Sequence, residues 1–386
     1  MRVLLAFDKF KDALTARQAG EAAADALRAK HPKWELDFCP LTDGGDGFCE
    51  TLCLNLGERI EHIEVRGPRG APVVSSVGFV PASALTTKAR GWFPPGAYCE
   101  IAVVDLASAS GLALLTPDQR DPWQTTTFGT GELLDYARHE QADAILLGIG
   151  GSATNDLGLG ALAALGFKFL DTAGVEISDP APATWERIAC IVPAALNLPP
   201  IFIACDVTNP LLGPRGATVT FGPQKGLSAV DVPRLEAQMA RMASLLCEAC
   251  GRPLTLADTP GAGAAGGIGF GLMVASGPSN SLRSGAKLVS GFDLVSDWLD
   301  LPQRIGAADV VLTGEGRYDA TSLDGKGPGR IAAEARRLGK RVYVFAGSLG
   351  IAADADHHAI TPTGLPLPDA LPRTAELLQA AIARVL

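Results

Sequence analysis

Five loops in the chain combine acidic side chains, basic side chains and glycine. They are FDKFKDALTA (7–16), LTDGGDGF (41–48), GIGGSATND (148–156), CDVTNPLLGPRGATVTFGPQKG (205–226) and TGEGRYDATSLDGKGPG (313–329). Each loop alone has an ordinary explanation, because Asp-Gly and Gly-Gly pairs form turns, and Asp or Asn at a helix start caps it. Together they carry more acids than turns and caps require. We therefore interpret them as parts of one site that handles charged groups.

The charged side chains of these loops suit a magnesium–phosphate site. Mg²⁺ is bound by one or two carboxylates, and water and phosphate oxygens complete its shell. Basic side chains hold phosphates or a substrate carboxylate. The candidate acids are Asp8, Asp43, Asp46, Asp206, Glu315 and Asp319, and the candidate cations are Lys11, Lys225, Arg283, Arg317 and Lys326. This combination predicts phosphoryl transfer. The pattern G-x-x-x-x-G-K-[ST] is absent, which excludes a P-loop kinase, and protein-kinase motifs are absent too.

The segment 145–166, ILLGIGGSATNDLGLGALAALG, also permits a different interpretation. Read as Gly148-x-Gly150-x-x-Ala153, it fits the relaxed dinucleotide-binding fingerprint, and Asp171 follows about 20 residues on, where a ribose-binding acid is expected. This alternative predicts an NAD(P)-dependent oxidoreductase in which Asp171 ends a strand beside the 145–150 strand.

Two glycines argue against the dinucleotide interpretation. Gly158 and Gly160 fall within the helix that the fingerprint requires, and each costs up to ~1 kcal/mol in a helix interior. Without the fingerprint, the segment is a glycine loop that carries the polar side chains Ser152, Asn155 and Asp156.

Composition limits the class of protein. The 386 residues are 47% apolar and 19% charged, which predicts about two domains with sizeable cores. A net charge of −9 with no Lys/Arg stripe predicts no nucleic-acid partner. The N-terminal apolar run is too short for a secretory signal, and no stretch is apolar enough for a membrane span, so we expect a cytoplasmic protein. Cys247 and Cys250 form a lone C-x-x-C that lacks further zinc ligands, so we interpret the eight cysteines as structural.

Short apolar runs and one capping box predict a parallel sheet. RVLLAFD (2–8) has the pattern of a strand buried on both faces. Thr15 with Gln18 forms a capping box for the next helix, and Pro32 stops that helix. Another helix is expected to start near Phe48. Further strands at 34–39, 308–313, 341–346 and 358–361 give a flavodoxin-like, doubly wound sheet of order 2-1-3-4-5. Its switch point, between the first and third strands, is where ligands are expected.

The middle of the chain has a different pattern. GPRGAPVVSSVGFVP and AYCEIAVVDLA have no helix between them, which predicts antiparallel pairing. We therefore expect a discontinuous flavodoxin-like domain of residues 1–65 plus 288–386, interrupted by a mixed-sheet α/β domain of residues 66–287. The active site is expected in the cleft between them.

The five loops, in this order, resemble those of the type 1 glycerate kinases, bacterial enzymes that phosphorylate glycerate with ATP. The segments that carry the resemblance are FDKFKDALTA, TDGGDGF, GIGGSATND, CDVTNPLLGPRGA with FGPQKG, GAGAAGGIG and ADVVLTGEGRYDATSLDGKGPGRIA, and together they span Met1 to Ala346. Departures are small: Phe7 stands where many members have proline, Lys9 where serine is frequent, and Asp46 where glutamate is common.

The resemblance implies an activity and its cofactors. It implies transfer of the γ-phosphoryl group of ATP to the 2-hydroxyl of D-glycerate, with Mg²⁺ as the metal and 2-phosphoglycerate as the product. We predict that the catalytic residues are Asp206, Asp43 and Lys11, with Asp206 preferred over Asp43 as the carboxylate that orients the attacking hydroxyl. The predicted metal ligands are Asp206, Asp43 and Glu315. The predicted substrate- and phosphate-binding residues are Asp8, Lys9, Gly150, Gly151, Ser152, Asn155, Asp156, Asn209, Lys225, Arg283, Arg317 and Lys326.

Several alternatives stay open at the level of sequence. The substrate could be another small hydroxy acid, or the product 3-phosphoglycerate, because pocket shape decides such preferences. A non-catalytic ligand sensor built on a two-domain cleft is a further alternative. Glycerate and a nucleotide are the expected small-molecule partners. The sequence does not predict an oligomeric state.

Overall fold

The computed structural model describes residues 1–54, 56–93, 100–276, 285–323, 327–351 and 354–386. The strands are β1 Arg2–Phe7, β2 Glu35–Phe38, β3 Arg59–Arg66, β4 Pro72–Pro81, β5 Glu100–Asp105, β6 Ala144–Gly148, β7 Lys168–Leu170, β8 Cys190–Val192, β9 Ile201–Ala204, β10 Ala286–Val289, β11 Val310–Tyr318, β12 Arg341–Leu349 and β13 His357–Ala359.

The helices alternate with these strands along most of the chain. They are α1 Ala16–Lys30, α2 Phe48–Leu54, α3 Thr87–Arg90, α4 Leu106–Ser110, α5 Phe128–His139, α6 Leu159–Ala164, α7 Ala217–Phe221, α8 Val232–Ala249, α9 Ile268–Ala275, α10 Gly291–Trp298, α11 Leu301–Ala307, α12 Ala320–Leu323, α13 Gly327–Arg337, α14 Leu367–Ala370 and α15 Thr374–Val385.

The first compact unit, Met1–Asp43 with Phe292–Leu386, is built on a five-stranded parallel sheet. Its order is β13-β12-β11-β1-β2, which confirms the predicted order 2-1-3-4-5. The central pair joins distant parts of the chain, since Val3 is opposite Val310. Helices α1 and α15 cover one face of the sheet, and α13 packs against β11 and β12.

The first helix follows the predicted capping chemistry. Thr15 Oγ1 accepts from the Gln18 N–H, and the Gln18 side chain accepts from the Thr15 N–H. The helix ends at Lys30, immediately before His31 and Pro32. Both helix ends therefore lie where local sequence signals placed them.

The second unit, Gly44–Gly291, contains a six-stranded mixed sheet of order β10-β9-β6-β5-β4-β3. Strands β3, β4 and β5 pair antiparallel, as predicted for β4 and β5, and β5, β6, β9 and β10 pair parallel. A separate antiparallel pair joins β7 to β8. The core contains buried side chains such as Leu147, Met242 and Phe270.

The two units divide the chain at different positions from those that the sequence suggested. Residues 44–65, which we had placed with the flavodoxin-like domain, lie in the second unit. The physical reason is their packing: β3 pairs with β4 over its whole length, and α2 packs against β4 and β5. Within the described residues, no helix combines the length and apolar character that a membrane crossing requires.

Candidate active site

Two carboxylates lie at the carboxyl edge of the first unit's sheet, at its switch point. Asp8 directly follows β1, and its N–H donates to the Gly314 carbonyl at 2.9 Å. Glu315 lies in β11, the strand beside β1, and each of the two acids is only 7% exposed. Parallel neighbours end at the same edge, so the fold brings together two residues that are about 300 positions apart in sequence.

Neighbouring charges act strongly on Asp8. Burial, followed by the Asp43 carboxylate, raises the pKa of Asp8 to about 7, and Glu315 adds to the rise. Lys9 opposes it through its positive charge and through its N–H, which donates to Asp8 Oδ1 at 2.7 Å. Lys9 Nζ also lies 3.9 Å from Asp43 Oδ1. The three acids therefore form an interacting group, which we call the acidic cluster: Asp8, Asp43 and Glu315.

Two buried threonines lie close in sequence to members of the acidic cluster: Thr42 directly precedes Asp43, and Thr313 lies two residues before Glu315. Thr42 is 5% exposed and Thr313 is fully buried. Among the described residues, neither Oγ1 atom has a hydrogen-bond partner. A buried hydroxyl without a partner is costly, so both atoms are candidates for contact with a ligand or its bound water.

Two further predicted residues of the first unit lie nearer the solvent. Lys11 is exposed, and Arg317 Nε pairs with Asp319 Oδ2 at 3.1 Å while its side chain is 71% exposed. The loop that carries Lys11 packs closely on β11, because a Cβ at Gly316 would lie 3.1 Å from the Lys11 nitrogen.

In the second unit, the GIGG loop after β6 packs directly on the DGG loop. The Gly150 N–H donates to the Gly44 carbonyl at 2.8 Å. A Cβ at Gly150 would lie 2.7 Å from Gly45 Cα, and one at Gly148 would lie 2.6 Å from the Phe48 ring. Gly150, which the sequence analysis predicts to bind substrate or phosphate, thus uses its N–H to join the two loops. Gly151 is exposed at the tip of its loop.

Asp105, at the end of β5, holds the same region together and was not singled out from the sequence. Its Oδ2 accepts from the N–H groups of Gly47 at 2.8 Å and Phe48 at 3.1 Å, while Oδ1 accepts from Ala107 N–H at 2.8 Å. One buried carboxylate therefore caps α4 and anchors the start of α2. The available signal was an Asp that ends the apolar run EIAVVD immediately before the helical LASAS segment.

Lys225 lies beneath the GIGG loop and is 1% exposed. Its Nζ donates to Ser152 Oγ at 2.9 Å and to the Thr154 carbonyl. Burial lowers the pKa of Lys225 to about 7, against the opposing effect of Asp156. These contacts make the lysine a support for the loop backbone.

Asp156 and Asn155 are also fully buried. Asp156 accepts four hydrogen bonds, from the N–H and hydroxyl of Thr127 and from the N–H groups of Gly158 and Gly160. Burial, partly offset by these bonds, raises the pKa of Asp156. Asn155 Nδ2 donates to Thr218 Oγ1 at 3.1 Å. Both side chains, predicted from sequence to bind substrate or phosphate, are engaged with their own unit.

Asp206 and Asn209 follow β9. Asp206 is exposed, and Ser290 Oγ donates to its Oδ1 at 3.3 Å. Asn209 Nδ2 donates to the Arg215 carbonyl at 2.7 Å and to Thr220 Oγ1 at 3.3 Å, so this amide closes its own loop.

The predicted site residues thus fall into two groups. The first unit holds Asp8, Lys9, Lys11, Asp43, Glu315 and Arg317, and the second holds Gly150, Gly151, Ser152, Asn155, Asp156, Asp206, Asn209 and Lys225. Arg283 and Lys326 lie outside the described residues. The predicted metal set of Asp206, Asp43 and Glu315 draws on both units.

The dinucleotide alternative is wrong on a specific point. Asp171 follows β7, which pairs with β8 in the separate two-stranded sheet and not with β6. Its Oδ1 accepts from the N–H groups of Ala173 and Val175, as in a turn. In addition, the helix after β6 starts only at Leu159, so the glycines do not open it as the fingerprint requires.

The order of the five-stranded parallel sheet places the protein among the doubly wound α/β proteins, a class whose ligands generally lie outside the carboxyl ends of the strands. Comparison with known proteins gives the family. Residues 3–386 match the model of the glycerate kinase family. The chain therefore belongs to the glycerate kinase family and is a kinase.

Named relatives are similar in sequence to this chain along most of their length. The glycerate kinase of Bacillus subtilis (strain 168) is 36% identical over 98% of this chain and 95% of its own. The glycerate 2-kinase of Escherichia coli (strain K12) is 36% identical over 90% of this chain and 86% of its own. A crystal structure provisionally named glycerate kinase 2, from Salmonella typhimurium LT2, is similar with a TM-score of 0.74. It is 35% identical and covers 100% of this chain and 97% of its own.

Proposed function

We propose that the protein transfers the γ-phosphoryl group of ATP to the 2-hydroxyl of D-glycerate, giving 2-phosphoglycerate. The observation that carries this proposal is the 36% identity, over 90% of the chain, to an E. coli protein named glycerate 2-kinase. The acidic cluster at the switch point supports it, since kinases position phosphates with carboxylate-bound metal.

In this reaction the hydroxyl oxygen of glycerate attacks the γ-phosphorus as the bond to the departing ADP oxygen breaks. The hydroxyl proton passes to a nearby carboxylate or to water. Asp206 is our preferred carboxylate because it is exposed and lies directly after β9, at the carboxyl end of a parallel strand. Asp43 is the second choice.

The first unit suits a magnesium ion. Asp43 and Glu315 offer the hard oxygen atoms that Mg²⁺ prefers, and the Thr313 hydroxyl provides a buried oxygen that has no hydrogen-bond partner among the described residues. When bound, Mg²⁺ neutralises charge on the nucleotide phosphates. Lys9 and Lys11 supply further positive charge toward phosphate or the substrate carboxylate.

In the second unit, we propose that the Gly151 and Ser152 N–H groups face the anion, while Lys225, Asp156 and Asp105 keep their loops in shape. This assignment follows the burial of the three charged groups and the exposure of Gly151. Oriented backbone N–H groups bind anions without the desolvation cost of a buried charge.

A coupled ADP-release assay with Mg-ATP tests the activity. D-Glycerate should give steady turnover, whereas L-glycerate and related hydroxy acids should give much less. Phosphorus NMR of the product should show a phosphate on the secondary carbon. A primary phosphate ester would identify a 3-phosphoglycerate-forming enzyme, and preferred turnover of another acid would identify a different hydroxy-acid kinase.

The remaining alternatives have separate readouts. Binding without ADP release would indicate a ligand sensor, and saturable binding of NADH would revive the oxidoreductase. That both units serve one active site stays a prediction. It requires that Glu315→Gln and Asp206→Asn each lower kcat, and full activity in either variant contradicts it.

A further inference from the structure

A serine and a lysine of the second unit are in direct contact at the GIGG loop. Lys225 Nζ lies 2.9 Å from Ser152 Oγ, although the two residues are 73 positions apart in the chain. Lys225 is 1% exposed and Ser152 is 8% exposed. A serine hydroxyl becomes a nucleophile when an adjacent base takes its proton, and lysine is the base in Ser–Lys dyads. The two side chains therefore have the composition and the contact of such a dyad.

The backbone holds the serine in a fixed position. The Leu112 N–H donates to the Gly151 carbonyl at 2.8 Å. On the other side, the Ala153 N–H donates to the Ser110 carbonyl at 2.9 Å. Gly151 has a φ of 74°, a left-handed conformation that glycine adopts at little cost, and it is exposed. Ser152 thus lies directly after a residue that solvent reaches, between two backbone hydrogen bonds.

The lysine is held equally firmly. It ends one turn of 3₁₀ helix, Pro223–Lys225, and Gly226 follows with a φ of 99°. A Cβ at Gly226 would lie 2.2 Å from the Arg120 carbonyl oxygen, so this turn packs directly on that backbone. Lys225 Nζ also donates to the Thr154 carbonyl. The amine therefore has a defined position relative to the serine hydroxyl, as a general base requires.

The contacts of Lys225 suit a neutral amine. An ammonium group has only donors, whereas a neutral amine also has a lone pair that accepts a hydrogen bond. When the Thr154 carbonyl accepts one N–H, the lone pair can accept the hydrogen of the Ser152 hydroxyl, which rotates to suit its partner. Burial favours the neutral form and lowers the pKa of Lys225 to about 7, and the charge of Asp156 opposes this shift. A large fraction of the lysine is therefore neutral near pH 7.

We propose that Ser152 is a nucleophile, with Lys225 as its general base, and that it accepts the acyl group of small, uncharged, activated esters. Ser152 Oγ forms a bond to the carbonyl carbon while its proton passes to Lys225 Nζ. The bond from that carbon to the leaving oxygen breaks, and the leaving group departs with the bonding electrons. Water then hydrolyses the acyl-serine to a carboxylic acid and the free hydroxyl. This activity is separate from the proposed phosphoryl transfer and does not depend on it.

Reaction of the full-length protein with p-nitrophenyl acetate tests the proposal. The parent should release about one equivalent of p-nitrophenol per chain in a burst, as an acyl-enzyme accumulates. Peptide mass spectrometry should locate the acetyl group on Ser152. Ser152→Ala should remove the burst, and Lys225→Met should slow acetylation by about 10²–10⁴-fold, the range for loss of a general base. Ser244→Ala, which removes an exposed serine of α8, is the control and should react as the parent does.

The pH profile distinguishes a general base from a merely structural lysine. Acetylation of the parent should become faster as pH rises through about 7 and then level off, because Lys225 must be neutral to accept the proton. Ser152→Cys, which keeps a nucleophile at this position, should retain the burst. Circular dichroism shows whether each variant is folded. If Lys225→Met does not fold, the pH profile of the parent and the loss in Ser152→Ala decide.

Several results would overturn the proposal. They are the absence of a burst in the parent, an equal burst in Ser152→Ala, an acetyl group on Lys225 in place of Ser152, and a rate that rises with hydroxide concentration without levelling off. The kinase assay has a separate outcome. Acetylation of Ser152 in a protein that releases no ADP from ATP and glycerate would reject the proposed function and leave the dyad intact.

Discussion

Buried carboxylates lie at the carboxyl edges of both sheets, but the groups that surround them differ. In the second unit, Asp105 accepts three backbone hydrogen bonds, and Asp156 accepts four bonds from neighbouring loops. In the first unit, the charges of Asp43 and Glu315 act on Asp8, which accepts from the Lys9 N–H, and among the described residues the buried Thr313 hydroxyl has no hydrogen-bond partner. Hydrogen bonds partly offset the burial that raises the pKa of Asp156, whereas the charges of Asp43 and Glu315 add to the burial that raises the pKa of Asp8.

This difference indicates a division of labour. Carboxylates that accept hydrogen bonds from nearby loops hold those loops in a fixed shape. A fixed shape suits loops that present backbone N–H groups to an anion. Carboxylates that repel one another, as in the acidic cluster, are stabilised most by an added cation. The comparison therefore predicts that changes at the first edge chiefly affect chemistry, and changes to the buried charged groups of the second edge chiefly affect stability.

The largest expected effect is on catalysis at the first edge. Glu315→Gln should lower kcat for glycerate phosphorylation by about 10²–10³-fold, the range seen when one preorganised electrostatic group is removed. Folding stability should stay unchanged or rise, because one buried negative charge near Asp8 is removed. Steady-state kinetics and urea unfolding measure the two effects, with Asp25→Asn as the exposed acidic control. A kcat of Glu315→Gln equal to that of the parent would contradict the prediction that changes at the first edge affect chemistry.

At the second edge, Lys225→Met should change how stability depends on pH. Burial lowers the pKa of Lys225 to about 7, so between pH 7 and roughly 10 the unfolded chain binds one proton more than the folded chain. The free energy of unfolding of the parent should therefore rise with pH in this window, by up to about 1.4 kcal/mol per pH unit, and the variant should lack this contribution.

Urea unfolding at pH 6.5, 8 and 9.5 measures the effect of Lys225→Met, and the exposed Lys33→Met serves as control. The free energy of unfolding of the variant, relative to that of the parent, should be highest at the lowest pH. The same slope in variant and parent would show that the lysine does not carry the effect.

Gly150→Ala should separate the two packed loops of the second unit. The new Cβ would lie 2.7 Å from Gly45 Cα, and backbone cannot move aside as a side chain can. We expect a loss of about 1–3 kcal/mol in the free energy of unfolding, together with weaker substrate binding. Gly306→Ala is the matched control: no heavy atom lies within 4 Å of its added Cβ, and in helix α11 it should stabilise by up to ~1 kcal/mol. Equal effects of the two changes would contradict this packing argument.

The smallest effect is expected for Asp105→Asn. The amide keeps one acceptor oxygen but loses the charge and one acceptor, so an N–H of Gly47, Phe48 or Ala107 loses its partner. The expected loss is about 1 kcal/mol of stability, measured by urea unfolding, and kcat should change less than in Glu315→Gln. A larger fall in kcat than in Glu315→Gln would place this carboxylate in the chemistry.

Much of the fold could be predicted because its signals are local. Continuous apolar runs identify buried parallel strands, and Thr15 with Gln18 identifies the start of α1. Strand β3, RIEHIEVR, was missed because it is an edge strand whose charged residues hide any apolar run. Residues 44–65 were assigned to the wrong side of the boundary for the same reason, since pairing with β4 decides their unit.

The candidate site could be predicted only as a set of loops. Sequence alone does not separate an acid that crowds other acids, such as Asp8, from one satisfied by backbone N–H groups, such as Asp156. Nor does it show that Lys225 is buried, because the burial depends on the 150–154 loop that covers it. These distinctions arise from packing between segments that are far apart in the chain.

The pairing of β1 with β11 also bears on biosynthesis. On the ribosome, the apolar strand RVLLAF emerges about 300 residues before its central partner, while the whole of Gly44–Gly291 can fold in the interval. Until residues 310–318 are made, the first strand and its helix have a sheet edge that other chains can pair with. We therefore expect nascent chains that stall before β11 to depend on chaperones and to aggregate readily, whereas a circular permutant that starts near residue 292 would make both partners early.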